Sequence, residues 1–253
     1  MLLALKLTLA PGLVAAASLV EKRFGHRLAG WTAGFPIVAG PILFLLALEQ
    51  GPRFAADAAR QTLLGVVSLS QYCLVYAHAS RRASPAATLL MAYAAFATVT
   101  LVLSTIDAGH LVSLIAALAA LTVARALLPV PETAATAPAR PSLLLRMIAT
   151  ATIVLTITGL AHVLGPRWSG LLVPFPIAGT VLVVAAHRTG GHAAALRVLQ
   201  GLLPALYGFS LFCAAVAWWL PSQGLPFTFG LGLAGALACQ ALVLGVDARN
   251  RAA

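Results

Sequence analysis

The run LVLSTIDAGH, residues 101–110, gathers Ser104, Thr105, Asp107 and His110 in one short stretch. A carboxylate beside two hydroxyls and an imidazole can hold a cation or pass a proton, so Asp107 is the candidate for ion coupling. A second group carries no charge. Ser70, Gln71 and Tyr72 lie in one apolar run, and Gln200, Tyr207 and Ser210 lie in another at comparable depth. Such side chains can line a polar path or bond helices together. Glu21, Asp57 and Glu132 fall in loops or at the ends of apolar runs, which places them in solvent, and Glu49 closes a run, where interfacial solvation is expected and a vestibule is the alternative. His162, His187 and His192 stand near run ends with no acid or thiol at metal-ligand spacing, which points to exposed or capping roles. Cys73, Cys213 and Cys239 lie inside apolar runs and read as buried thiols.

Other chemistries lack their residues. The chain contains no Gly-x-Ser-x-Gly, no His-Glu-x-x-His, no phosphate-binding glycine loop and no paired carboxylates. Nothing asks for an enzyme, a cofactor or a bound metal. A membrane enzyme would require Asp107 and His110 to converge on a water-filled cavity.

The elements that position these residues follow from composition. Of 253 residues, 61% are apolar and only 9% charged, with a mean hydropathy of +0.97. A soluble domain carries about a quarter charged residues, so this chain belongs in a lipid bilayer. Its net charge of +10 does not indicate nucleic-acid binding, because the basic residues fall in short clusters between apolar runs. Spans of about 20 apolar residues are expected at 2–20, 30–48, 58–79, 84–106, 109–128, 143–163, 169–187, 193–219 and 225–247. The first is expected to be a retained helix rather than a signal peptide, since Lys6 interrupts it and it runs to full length. With nine spans, twelve of the 16 basic residues fall on one side, and Lys6, Arg53, Arg60 and Arg167 on the other. The richer side is expected to be cytoplasmic, which puts the N-terminus outside and the C-terminus inside.

The chain also repeats itself. GHRLAGWTAGFPIVAG, from Gly25, returns as GPRWSGLLVPFPIAGT, from Gly165. At the same offset Ser70, Cys73 and Asp107 return as Ser210, Cys213 and Asp247, and a one-residue slip sets Ala39-Gly40 on Ala178-Gly179. The expected fold is therefore an all-α polytopic membrane protein. Residues 1–107 form a first four-helix repeat, 108–141 a linking helix and loop, and 142–253 a second repeat. A shift of five spans is odd, so the two repeats are expected to be inverted.

Each repeat breaks its second span with proline, which removes a backbone hydrogen bond. In a bilayer such a break survives only against protein or a water-lined cavity, and matched breaks in two halves point to a transporter's binding site. The expected substrate-binding set is Phe35, Pro36, Ala39 and Gly40 in one half and Phe175, Pro176, Ala178 and Gly179 in the other. Ser70, Gln71 and Ser210 join it. Packing alone is the competing explanation for these small and kinked residues.

The stretches RLAGWTAGFPIVAGPI and SGLLVPFPIAGTVLVVAAH resemble the small GlpM-type inner-membrane proteins of bacteria, which have a few spans and a Gly-x-x-x-x-Phe-Pro-like motif in an early helix. The resemblance covers the second and third spans of each half. It implies two such proteins fused through span five and a bacterial inner-membrane location, and it carries no established activity or site. On this reading the chain is a secondary transporter. Helix N-termini freed by the breaks favour a small anionic or neutral polar solute, or an acidic-headed lipid. The partners are the bilayer and that substrate, with no nucleic acid, and a homodimer is compatible. The alternative is an accessory membrane protein that supports a partner complex and moves nothing.

Overall fold

The computed structural model describes Thr8 and residues 12–15, 36–129 and 143–252. Phe35, Arg27, most of the first expected span and the loop 130–142 lie outside the described residues, as do the side chains of Ala178 and Asp247. The described residues are helical, without strands: α1 Ala39–Glu49, α2 Pro52–Ala79, α3 Pro85–Leu103, α4 His110–Leu127, α5 Leu143–Leu172 and α6 Ile177–Ala252. Proline opens α2 and α3, where its missing N–H would be unpaired anyway, and the Ser84 hydroxyl caps α3 by accepting from the Ala87 N–H.

The two longest helices are jointed. Gly165 divides α5 into limbs 143–164 and 166–172, and Gly191 and Gly224 divide α6 into limbs 177–190, 192–223 and 225–252. Gly51, between α1 and α2, has φ +95°, and its counterpart in the second half, Gly191, has φ +67°. Both turns need a left-handed residue, which any side chain would strain.

Five stretches are long and apolar enough to cross a membrane, and the last of them covers 65 residues from Gly179 to Val243, enough for more than one crossing. At 11 residues α1 is too short to cross alone. The expected span 169–187 contains a non-helical link at 173–176, between Pro174 and Pro176, where proline expectations placed it. Large apolar side chains face outward, among them Leu90, Val163 and Leu242, each more than 70% exposed, as lipid contact requires.

Helix directions follow from side-chain contacts. At one end Arg60 of α2 meets Asp107, just before α4, and His110 stacks on Trp218 of the 192–223 limb. At the other end Ser80 bonds His192, His78 bonds Leu127 and Gln200 bonds Pro129. Hence α2 and α4 run from the Asp107 end to the His192 end, and the 192–223 limb runs back. The stretch 166–190 lies parallel to α2, since Thr62 pairs with Gly170, Tyr72 with Thr180, and Tyr76 with His187.

Positions 140 residues apart have several local features in common. The Gly40 N–H donates to the Pro36 carbonyl, and the Thr180 N–H to the Pro176 carbonyl, both at 2.7 Å. The buried positions of α3 are Thr88, Ala92, Phe96 and Thr100, and the equivalent positions Thr228, Gly232, Ala236 and Gln240 are buried as well. Cys73 and Cys213 are both fully buried.

Candidate functional site

The break at 173–176 is lined by hydroxyls and rings. Tyr93 donates to the Thr180 hydroxyl at 2.9 Å, and the Tyr72 hydroxyl lies 2.8 Å from the same oxygen. Tyr93 stacks on Phe175 with centroids 5.3 Å apart, and Phe96 meets Phe175 edge-on. Thus α2 and α3 supply the tyrosines, and the broken segment supplies the ring and the hydroxyl between them. Tyr72 is fully buried, so its hydroxyl needs the partner it has.

This cluster sits within a longer polar seam between α2 and residues 166–192. Toward the His192 end, the Tyr76 hydroxyl lies 3.3 Å from His187 Nδ1, and Ser80 Oγ lies 2.7 Å from His192 Nδ1. Toward the Asp107 end, the Thr62 hydroxyl donates to the carbonyls of Ala58 and Gly170. Gln61 Oε1 and Ser169 Oγ are buried there without a hydrogen-bond partner. Between these groups the seam is closed by contact. A Cβ on Gly65 would sit 2.5 Å from the Pro174 ring, and one on Gly170 would collide with the Ala58 carbonyl.

The Asp107 end is an ion-pair cluster at the surface. Arg60 donates to Asp107 Oδ1 at 2.9 Å and also bonds the Ala108 carbonyl, while Arg167 donates to the Ser104 carbonyl at 2.6 Å and lies 3.8 Å from Asp107. The hydrogen bond from Arg60, then its charge and that of Arg167, hold the Asp107 carboxyl below its ordinary range. Asp57, Arg60, Asp107 and His110 border an open cleft of about 310 Å³. The Asp107 side chain is 72% exposed, so it stands at the mouth of the seam and is already engaged by two guanidinium groups.

The expected site residues divide. Ser70 and Ser210 are buried and each donates back to its own helix, to Val66 and Leu206, so neither has its proton free for a ligand in this arrangement. Gln71 is exposed. Pro36, Ala39, Gly40 and Pro176 are buried, while Gly179 is half-buried against Leu202. Gly40 faces the Phe212 ring, with 3.8 Å to where a Cβ would be. Among the described contacts, Gly40 of the first break meets Phe212 and Pro174 of the second meets Gly65, each in the opposite half, whereas Gly179 meets Leu202 of its own half. His187 is buried against Tyr76 rather than exposed.

Among the seam residues that sequence reasoning passed over are Thr180, Tyr93, Tyr76 and Ser80. Thr180 and Tyr93 occupy positions whose counterparts in the opposite half are Gly40 and Leu233. A polar residue replacing an apolar one between otherwise similar halves was the available signal.

No family model matches the chain, and neither the curated proteins nor the solved structures include a match to it. The functional reading therefore rests on the chain's own residues.

Proposed function

We propose that the chain is a secondary transporter of nine crossings, built from two inverted repeats that move past one another by alternating access. It carries a small anionic or neutral polar solute or an acidic-headed lipid across a bacterial inner membrane, with the Asp107 end outside. The observation that carries this reading is a reciprocal contact. Tyr72 of the first half meets Thr180 of the second, and Phe212 of the second half meets Gly40 of the first. Tyr72 and Phe212 are counterparts in the repeat, and so are Gly40 and Thr180. Such an exchange is what a two-fold axis in the membrane plane produces. The opposed directions of α2 and the 192–223 limb support the same symmetry. Hydroxyls and no buried carboxylates around Thr180, among the described residues, favour an uncharged or anionic ligand. The duplication of a GlpM-like unit is the accompanying proposal for its origin.

The test has two parts. Single cysteines at Arg53 and Ser222 should react with a membrane-impermeant maleimide from outside, and those at Arg82 and Thr189 only after permeabilisation. Labelling of Thr189→Cys together with Arg53→Cys from outside would mean that the halves point the same way. Replacing Pro36 and Pro176 by alanine should then abolish flux while insertion persists; undiminished flux would remove the breaks from the mechanism.

The accessory reading draws on the closeness of the seam at Gly65 and Gly170, which is how a fixed packing surface would be built. Isolation of a stoichiometric partner, with no flux in liposomes, would decide for it.

A further inference from the structure

We propose that His187 is the proton-binding residue of this seam, and that its protonation opens the His192 end of the contact between α2 and the 177–190 limb. This deepens the transport reading, on which it rests, by naming the proton as the coupling ion.

The case begins with what is buried. Among the described residues no Asp, Glu, Lys or Arg is buried, and His187 is the one buried imidazole, 8% exposed. Imidazole is also the side chain whose ordinary titration falls near neutral pH. His187 lies beside a hydroxyl cluster that could hold a solute, and it has a polar approach from one end only. His192, half-buried, bonds Ser80, and one turn back on α2 Tyr76 bonds His187. Beyond Tyr76 the next ring is Tyr72, 6.0 Å away between centroids and bonded instead to Thr180. His192, Ser80 and Tyr76 thus line an approach to His187 from that end, and among the described residues no hydrogen bond continues from Tyr76 to the Thr180 cluster.

Protonation changes what the contact can do. In the neutral ring one nitrogen accepts a hydrogen bond, and in the cation both nitrogens donate. With Nδ1 as the accepting nitrogen of the neutral ring, Tyr76 must then turn its hydroxyl from donor to acceptor. Among the described residues the groups facing His187 are Tyr76 and Ser80 from α2, the Ser80 backbone bonding the ring, and His192 and Arg188 from α6, with Arg188 near enough to act on the Tyr76 hydroxyl. None of these carries a negative charge. A buried cation without a counter-charge is costly, and the cost falls if the limb swings so that the ring meets water. The Gly191 joint, with φ +67°, lies four residues on and lets the 177–190 limb move against the 192–223 limb.

The experiment needs no solute. Amide exchange of residues 181–192, in protein held in lipid nanodiscs, is measured at about pH 5.5 and about pH 8 and corrected for intrinsic rates. Exchange should be faster at the lower pH, by at most about tenfold for each unit by which the pKa values of the closed and open forms differ. His187→Gln should bring that ratio close to one, whereas His192→Gln, which alters only the path, should keep it. An undiminished ratio in His187→Gln overturns the proposal. Imidazole ¹⁵N spectra of the otherwise unmodified chain provide a second measurement if that variant fails to fold. The ring perturbed by Tyr76→Phe should pass from neutral to cationic shifts as the pH is lowered; a ring that stays neutral throughout also overturns it. If the pH response is present but no screened solute is carried, the transport reading fails and the role of His187 stands.

Discussion

The hydroxyls of Tyr72 and Thr180 meet at 2.8 Å, and at the equivalent positions the ring of Phe212 closes on Gly40. The same cross-half contact is thus polar in one copy and apolar in the other. In the first copy separation of the halves breaks hydrogen bonds; in the second it parts only van der Waals surfaces.

That difference predicts how the cluster responds to substitution. Tyr72→Phe leaves Thr180 bonded to Tyr93 and should cost only about 0.5–1 kcal/mol. Tyr72→Phe with Tyr93→Phe removes both partners, so the loss should exceed the sum of the single changes. Thermal unfolding in detergent, arranged as a double-mutant cycle, measures this coupling. Strict additivity would mean that the three hydroxyls do not act together.

Tyr72→Phe combined with Thr180→Gly should copy the arrangement at Phe212 and Gly40. The expected result is a protein that inserts and folds but no longer moves its solute. Unchanged flux in this variant would place the binding site elsewhere.

Glycines on the seam should be intolerant of a methyl group. Gly170→Ala drives a Cβ into the Ala58 carbonyl and Gly65→Ala drives one into Pro174. Each should lower stability by about 1–3 kcal/mol. Gly159→Ala meets nothing within 4 Å inside a helix and should raise stability by up to about 1 kcal/mol. Melting temperatures of the three variants in one detergent check the contrast.

The Asp107 cluster should show itself in acid. Its carboxyl is depressed in the folded chain, first by the Arg60 hydrogen bond. A depressed acid stabilises fully above its unfolded pKa, and that contribution disappears as pH falls through the folded value. Asp107→Asn should therefore lower the melting temperature at neutral pH and lose its effect below the carboxylate range. Because the carboxylate is exposed, high salt should shrink the difference at neutral pH.

Ser70→Ala and Ser210→Ala should change little, since both hydroxyls are spent on their own helices. Stability within about 0.5 kcal/mol of the original is expected, with flux unaltered. A large loss of flux in either would show that the hydroxyl turns toward a ligand in another state.

Apolar run length made the helical character legible, and scarce residues such as Arg27, Pro36 and Phe175 suggested a repeat against an Ala/Leu-rich background. The seam was not legible for a related reason. Searching for identities between halves selects residues with the same local duty, and Ser70 and Ser210 are such a pair, each bonding one turn back. The polar contacts arise where the halves differ, at Tyr72 against Phe212 and Thr180 against Gly40. Tyr72 and Thr180 are also far apart in the chain, on separate helices, so no local pattern could pair them. His187 was read as exposed because it stands near a run end, but the parallel course of α2 covers it.

The narrow inner stripe of α3 has a consequence for handling the protein. Thr88, Ala92, Phe96 and Thr100 recur at every fourth position, with Leu89 and Tyr93 partly buried beside them, so the helix touches its neighbours along one narrow face and leaves most of its circumference outward. Acyl chains must then furnish most of its surroundings. Stripping of annular lipid by short-chain detergents should loosen this helix before the centre of the bundle, carrying Tyr93 away from its partners while α2 keeps its place.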